Sequence, residues 1–457
     1  MRGILTLMFF MMVFWGSAQN KQLLYDFNSV PQHGLLNPGA VIEQKFFVGV
    51  PILSQVSFDV GGTPFSVYDL FSVNGTSINS KLRAAVSGFG KTEFVNAHQQ
   101  IEILTAGFRI RNKGFMSAGI YQESNLFFKV PKDVLDLWYY GNNDLGRTYS
   151  IEKTHAFGEL INVFHVGYNV NVSDDLIVGG RFKIYSSAFH GSATGTKGSL
   201  TTRAGTTNLI AHNFDNVHMI LNTSGIPGDE DDDVSPSDVM NRLLLGGNLG
   251  IGIDVGFTKF ISENLKITGS MLDFGFVNYS KEVRNFNIKG EYFFEGAELL
   301  FEDTFEDYWN NYRQDFEEAF EDSENSESYI KMRPLKFNAG LHYSFGEKRD
   351  LSCNYASGSK QYLNKLSGHF FALMSDVHTR IAGTIAYERW FSKHFQLKVS
   401  YTGDSFSYTN IGLGGATQLG PVQFYLLANN MLHIDNLYDA QALTLQLGIN
   451  LNFYDLN

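Results

Sequence analysis

Cysteine is nearly absent from these 457 residues: Cys353 stands alone, which excludes an internal disulfide framework and a cysteine-rich zinc site. Proline is scarce, at 9 residues. Beyond the first 18 residues no apolar run approaches the ~18–20 residues that a membrane-spanning helix needs. Mean hydropathy of -0.13 likewise excludes a polytopic helical membrane protein. Basic residues are outnumbered, 35 Lys and Arg against 47 Asp and Glu, and the net charge of -12 excludes nucleic acid as the expected partner. What is abundant is glycine (45), phenylalanine (40) and tyrosine (22), the composition of an all-β chain with tight turns.

The acidity is local. Asp229 to Asp233 carries -5 and the stretch from Glu295 to Glu327 carries -12, which leaves +5 on the rest of the chain. Two acidic inserts thus sit on a mildly basic framework.

Residues 1–18 read as a signal peptide: Arg2 as the basic start, Ile4 to Trp15 as the apolar core and Gly16-Ser17-Ala18 before cleavage at Gln19. No cysteine follows that point, so a lipoprotein is not expected. An exported chain without a spanning helix is either soluble or a membrane β-barrel.

Alternation favours the barrel. Leu443, Leu445, Leu447, Ile449, Leu451 and Phe453 alternate with Thr444, Gln446, Gly448, Asn450 and Asn452. Leu249 to Phe257, Phe337 to Phe345 and Phe395 to Tyr401 repeat the pattern. Successive strand side chains point to opposite faces, so each segment has one apolar and one polar face. The segments are longer than the usual strand of about 5–6 residues, and aromatics such as Tyr387, Trp390, Phe391 and Tyr454 gather near their ends, where a membrane girdle lies. The expected fold class is all-β: a transmembrane antiparallel barrel in the outer membrane.

Putting the short turns at 111–114, 173–175, 262–264, 346–350 and 392–394 on one side gives strands near 44–60, 97–111, 114–130, 154–172, 176–190, 246–261 and 264–280. Seven more follow near 330–345, 350–358, 378–391, 395–404, 406–419, 421–430 and 440–454, fourteen in all, with sixteen as the competing count. Strand-like stretches at 208–223 and 281–294 break this parity and belong in the long outer loops, 191–245 and 281–329. Helices are expected at 132–140, after Pro131, and at 301–320. In the latter, Phe301, Phe305, Tyr308, Tyr312, Phe316 and Phe320 recur at helical spacing with acids between them, as a helix packed on the rim or a docking or lid helix.

Between the leader and the first strand lies Gly34-Leu35-Leu36-Asn37-Pro38-Gly39-Ala40. This segment resembles the Asn-Pro-Ala region at the start of FadL-type barrels, including PorV and, more loosely, PorP/SprF-like proteins. With Gly420 to Tyr425 and Asn429-Asn430-Met431-Leu432, the chain resembles a Bacteroidota outer-membrane barrel family of that type. Gly39 stands where the commoner form has Ala directly after Pro. The resemblance implies that residues 19–43 fold into the lumen as a hatch, with Leu35, Leu36, Asn37, Pro38, Gly39 and Ala40 at its centre, ahead of a barrel over 44–457. It also implies two functions: passive transport of a hydrophobic or amphipathic small molecule, or a non-enzymatic scaffold tied to protein secretion or surface assembly.

Catalytic motifs fail on inspection. Gly88-Phe89-Gly90-Lys91-Thr92 lacks the first glycine of a P-loop, and neither His342 nor His378 has a partner assignable from spacing, so no enzyme is expected. No cofactor is expected either. Asp229, Asp231 and Asp233 lack the spacing of an EF-hand loop, and read as a solvated charge run or a loose collector of Ca²⁺ or Mg²⁺. The polar strand faces carry Arg109, Arg111, Arg181, Lys183, Lys336, Arg380 and Lys398 against Asp254 and Glu388. Charges inside a barrel are costly unless paired, so they predict either a salt-bridged closed lumen or a pore for anionic or amphipathic solutes. The partners expected are outer-membrane lipid and lipopolysaccharide, a hydrophobic ligand, and a secretion or surface protein.

Overall fold

Strands with one apolar and one polar face are stable as a closed sheet when the apolar face meets lipid, because closure removes the unpaired edges. The computed structural model has this form. It describes residues 21–62, 76–88, 90, 92–110, 114–142, 144–206, 210–226, 234–295, 320–349, 361–376, 379–404, 410–430 and 442–454. The strands are β1 (Phe46–Gly49), β2 (Val56–Gly62), β3 (Thr92–Ile110), β4 (Gly114–Pro131), β5 (Thr148–Ser150), β6 (His155–Ser173), β7 (Leu176–Ala204), β8 (Ile210–Ser224), β9 (Asn248–Ser262) and β10 (Leu265–Tyr279). They continue as β11 (Val283–Phe294), β12 (Phe320–Asn325), β13 (Tyr329–Met332), β14 (Leu335–Arg349), β15 (Gln361–Met374), β16 (Thr379–Ser392), β17 (Phe395–Asp404), β18 (Asn410–Leu419), β19 (Val422–Asn429) and β20 (Ala442–Phe453). Among the described residues three α-helices join them: α1 (Ile78–Gly88), α2 (Lys132–Tyr140) and α3 (Pro236–Asn241).

All pairings are antiparallel, and the wall closes where β1 and β2, in line, lie between β20 and β3. Counting β1 with β2 and β13 with β14 as single crossings, and leaving out β5, β8, β11 and β12, which pair beyond the wall, gives a barrel of fourteen strands. Two-residue links join β6 to β7, β9 to β10, β16 to β17 and β18 to β19 at one end, and the longest connections all lie at the other. At that long-loop end β7 outruns β9. It pairs with β9 over 176–187 and then with β8 over 190–204, and β8, β11 and β12 continue an upright sheet past the rim. The stretches that broke the parity are therefore β8 and β11.

Side chains follow the predicted alternation. Along β9, Leu249, Ile251, Ile253, Val255 and Phe257 are exposed on the outer wall while Asp254 is buried inside. Leu366, Phe370, Ile381, Ile385, Val399, Tyr401 and Leu426 carry the same apolar belt round the barrel. An apolar surface that encircles a protein is stable only under lipid, so the wall spans a membrane.

Two strand assignments need correction. The ninth crossing is β15, Gln361–Met374; the expected strand at 350–358 lies outside the described residues. Leu363 and Phe371 point inward with Lys365, Ser367 and His369 between them, so apolar residues occupy both faces and blur the two-residue period. Phe320, assigned to the end of a helix, opens β12 opposite Gly290; in-register pairing with β11 outweighs its helical spacing. Phe301, Phe305, Tyr308, Tyr312 and Phe316 lie outside the described residues, as do residues 1–18, Arg111, Asp229, Asp231, Asp233, Cys353 and His378. Helix α2 has the expected bounds, and its Asp136 is buried against Arg147.

Ile253 sits midway along the exposed row of β9. Replacing it with Lys should cost about 2–4 kcal/mol in a lipid refolding equilibrium, whereas Thr258→Ser on the inner face leaves the belt intact.

Candidate functional site

Residues 21–45 run through the bore with little regular structure of their own. Tight turns link Leu24 N to Lys21 O (3.0 Å), Phe27 N to Leu24 O (3.1 Å) and Val30 N to Phe27 O (2.9 Å). Pro31–Leu35 forms one short 3-10 turn. Such turns leave many carbonyls unpaired, and a buried carbonyl needs a donor. The wall supplies them. Lys398 Nζ donates to Tyr25 O (2.7 Å), Gln423 Nε2 to Ser29 O (2.6 Å), Arg181 to Gly34 O (2.6 Å) and Leu35 O (3.2 Å). Ser270 Oγ donates to Leu36 O (2.6 Å), Asn169 Nδ2 to Ala40 O (3.0 Å), and Arg109 to Ile42 O. Leu23, Leu24, Phe27, Val30 and Leu36 meanwhile pack with Ala416, Tyr425 and Leu427 into an apolar core inside the barrel.

Two contacts fix the position of this segment. The first is a notch of glycines. Gly179 of β7 and Gly256 of β9 face each other across the ladder. A Cβ at Gly179 would lie 2.1 Å from Pro38 O, and one at Gly256 would lie 2.1 Å from Asn37 Oδ1. The Asn37-Pro38-Gly39 turn therefore rests directly on wall backbone, held by Asn37 Nδ2 to Phe257 O (3.1 Å) and Gly39 N to Asn37 Oδ1 (2.9 Å). Only hydrogens at those positions leave room for it.

The second contact is Asp26. Its carboxylate takes Lys266 Nζ at 2.7 Å, Lys365 Nζ at 3.2 Å and His342 Nδ1 at 3.1 Å. Burial alone would push this carboxyl up, but His342, Lys266 and Lys365 outweigh it and hold Asp26 well below the usual carboxylate range. The cluster continues through Lys365–Glu388 (3.0 Å) to Lys398 (3.7 Å). Tyr25 stacks on His369 at 3.9 Å between ring centres. Burial pushes His33 down to about 3, a neutral imidazole whose nitrogens have no hydrogen-bond partner.

A second ionic chain runs from the notch toward the long-loop end. Arg181 pairs with Asp254 (3.0 Å), Asp254 with Lys183 (2.9 Å), Lys183 with Asp273 (2.6 Å) and Asp273 with Lys336 (2.8 Å). Lys336 then approaches Glu123 (4.0 Å), which pairs with Arg333 (2.8 Å), and Arg333 reaches Glu159. Local irregularities aim these groups inward. Asp273 sits at a bulge of β10 with φ of 62°, and Arg333 occupies the break between β13 and β14 beside Pro334.

Two cavities lie inside the barrel. The larger, about 1080 Å³ of empty space partly open to solvent, lies at the long-loop end. Phe127, Phe157, Val277 and Leu373 form its apolar wall, and Glu159, Arg333 and Lys336 its charged floor. The smaller, about 470 Å³, lies between Leu35, Pro38 and Ile42 and the wall residues Phe47, Phe115, His165 and Arg181.

The lumen charges singled out in the sequence thus fall into separate groups. Arg181, Lys183, Asp254 and Lys336 share one chain, Glu388 and Lys398 the Asp26 cluster, Arg109 holds Ile42, and Arg380 lines the larger cavity. The excess of bases over acids among them is corrected by Asp26, Glu123, Glu159 and Asp273, which that reading missed. Glu123, Glu159 and Asp273 lie in stretches where both faces carry apolar residues or a bulge shifts the period. Asp26 lies outside any strand.

Residues 38–429 match the model of a family of unknown function, DUF5723. The chain belongs to that family. No curated protein matches it. Among solved structures, the family's barrel is similar to the toluene transporter TodX of Pseudomonas putida, with 10% identity, 95% of this chain and 93% of that one covered, and a TM-score of 0.38. A FadL homologue of Pseudomonas aeruginosa is 9% identical, with 96% and 97% covered and a TM-score of 0.45.

Two outcomes follow from the notch and the cluster. Gly179→Val should expel the Asn37–Gly39 turn and raise amide exchange over residues 34–40 while the wall amides stay protected. Asp26→Asn strands the buried Lys266, while Lys365 keeps Glu388, and should cost about 3–5 kcal/mol in unfolding free energy. Because the folded Asp26 pKa lies below its unfolded value, its contribution is present above about pH 4. It is lost only as pH falls through the lower folded value, so protection of residues 21–36 should be the same at pH 7 and pH 5.

Proposed function

We propose that this chain is a non-enzymatic outer-membrane barrel that passes a hydrophobic or amphipathic small molecule, with residues 19–43 acting as the hatch. The observation that carries this reading is an interrupted path. An apolar-walled cavity with a charged floor opens at the long-loop end, a second cavity lies deeper against the wall, and residues 21–45 occupy the bore between the solvent spaces. Ligand sites are commonly apolar pockets with a few convergent polar groups, as the larger cavity is. The hatch is held by side chain to carbonyl hydrogen bonds and by ion pairs rather than by strand pairing, so it can leave without opening the barrel. Residues 34–40 form its wall-bound end and Asp26 its electrostatic anchor.

The upright sheet of β8, β11 and β12 supports a second reading, a scaffold for a secretion or surface protein, with lipid and lipopolysaccharide as the surroundings in either case. Loosely held Ca²⁺ or Mg²⁺ at the acidic inserts suits both readings.

Deleting residues 23–40 should raise single-channel conductance in planar bilayers, and unchanged conductance refutes the hatch. Purification from native membranes separates the two functions. A co-purified amphiphile lost on Phe157→Asp in the cavity wall supports transport, while a stoichiometric protein partner moves the assignment to the scaffold.

A further inference from the structure

Helix α3 and the wide turn Arg242–Gly246 that continues it lie on the outer wall, outside the bore. Inward positions on β6 and β7 are taken by Ile161, Val163 and Tyr185, so Asn162 and Ser186, one position away, face outward. Both are nonetheless buried, at 2% and 0% exposure. Their cover is the turn. Asn162 Nδ2 donates to Leu243 O (3.1 Å), Ser186 Oγ donates to Arg242 O (2.6 Å), and Leu245 N donates to Ser186 Oγ (3.1 Å). The backbone polar groups of the turn are spent on the wall. Its ends are tied by Arg242 Nη1 to Gly225 O (2.9 Å), by the Arg242–Glu282 pair and by Lys281 Nζ to Gly246 O (2.7 Å).

The opposite side is apolar and uncovered: Met240 and Leu244 are each 56% exposed and Leu245 46%. Leu245 also holds a φ of 70°, a left-handed conformation that a bulky side chain rarely adopts. Four residues on, Leu249 begins the exposed apolar row of β9 and pairs across the ladder with Ser186. The leucines therefore continue the lipid-facing belt at its long-loop margin.

We infer that residues 236–246 are a membrane-contact element: Met240, Leu244 and Leu245 enter the acyl layer and screen the outward polar side chains Asn162 and Ser186 from it. The occupant is lipid because the surface is continuous with the belt and the polar anchors of the turn go to the wall, to Gly225 and to the 281–282 turn. The inference rests on the barrel spanning a membrane and is independent of what the lumen carries.

Nitroxide labels test it in proteoliposomes made with the full chain carrying Cys353→Ser. Met240→Cys, Leu244→Cys and Leu245→Cys are labelled singly, so one poorly folding variant does not decide the result, with Ile253→Cys as the belt control and Ser237→Cys as the aqueous control. Membrane-dissolved oxygen should relax the labels at 240, 244, 245 and 253 more than a water-soluble nickel chelate does, with the reverse at 237. Nickel dominance at 244 and 245, with oxygen dominance kept at 253, overturns the inference and leaves the spanning wall in place. Labels at 244 and 245 shielded from both reagents mean that protein covers the surface, which also overturns it. Nickel dominance at 253 as well removes the spanning reading itself, and the inference with it.

Discussion

The bore is organised by an accounting constraint on backbone carbonyls. A segment of tight turns buried inside a barrel cannot pair its own carbonyl groups, and each one left bare costs free energy comparable to a lost hydrogen bond. Lys398, Gln423, Arg181, Ser270, Asn169 and Arg109 meet that demand from six different strands. The inner faces of those strands therefore need long or amide-bearing donors at particular heights. This explains why the lumen is rich in Lys, Arg, Asn and Gln without being a row of free charges.

Electrostatics then separates the bore into two regions. Around Asp26, lysines from β10 and β15 converge on an acid that belongs to the threaded segment, so the ion pairs hold two separable bodies together. From Arg181 to Glu159 the acids and bases all belong to the wall, so that chain stiffens the barrel itself. Arg181 touches both, pairing with Asp254 while donating to Gly34 and Leu35. Buried pairs of this kind contribute little net stability against apolar packing but specify geometry when every member is satisfied.

The fold was largely legible in the sequence. Alternation at Leu249–Phe257 and Leu443–Phe453 fixed which face met lipid, and turn lengths set the parity from which fourteen strands followed. What escaped was wherever the period breaks. Lys365 sits among inward Leu363 and Phe371, Asp273 sits on a bulge, and Arg333 sits at a strand interruption, so none stood on a recognisable polar face. The Asn37-Pro38-Gly39 segment was recognisable as a motif, but its seat was not. Gly179 and Gly256 are 77 residues apart in the chain, and only the register of β7 against β9 brings them face to face.

The seam of the barrel sets an order of assembly. β1 and β2 complete the wall by pairing with β20, so residues 46–62 wait for residues 442–453 before the sheet can close. Contacts so distant in sequence carry a large entropy of loop closure and form late. The threaded residues 21–45 sit immediately before β1, tied to wall strands from β3 to β20. Once the seam is shut they have no side entrance. Lying among the other strands when the last pair zips spares them an end-on passage along the bore, so they act as a mandrel around which the cylinder is rolled.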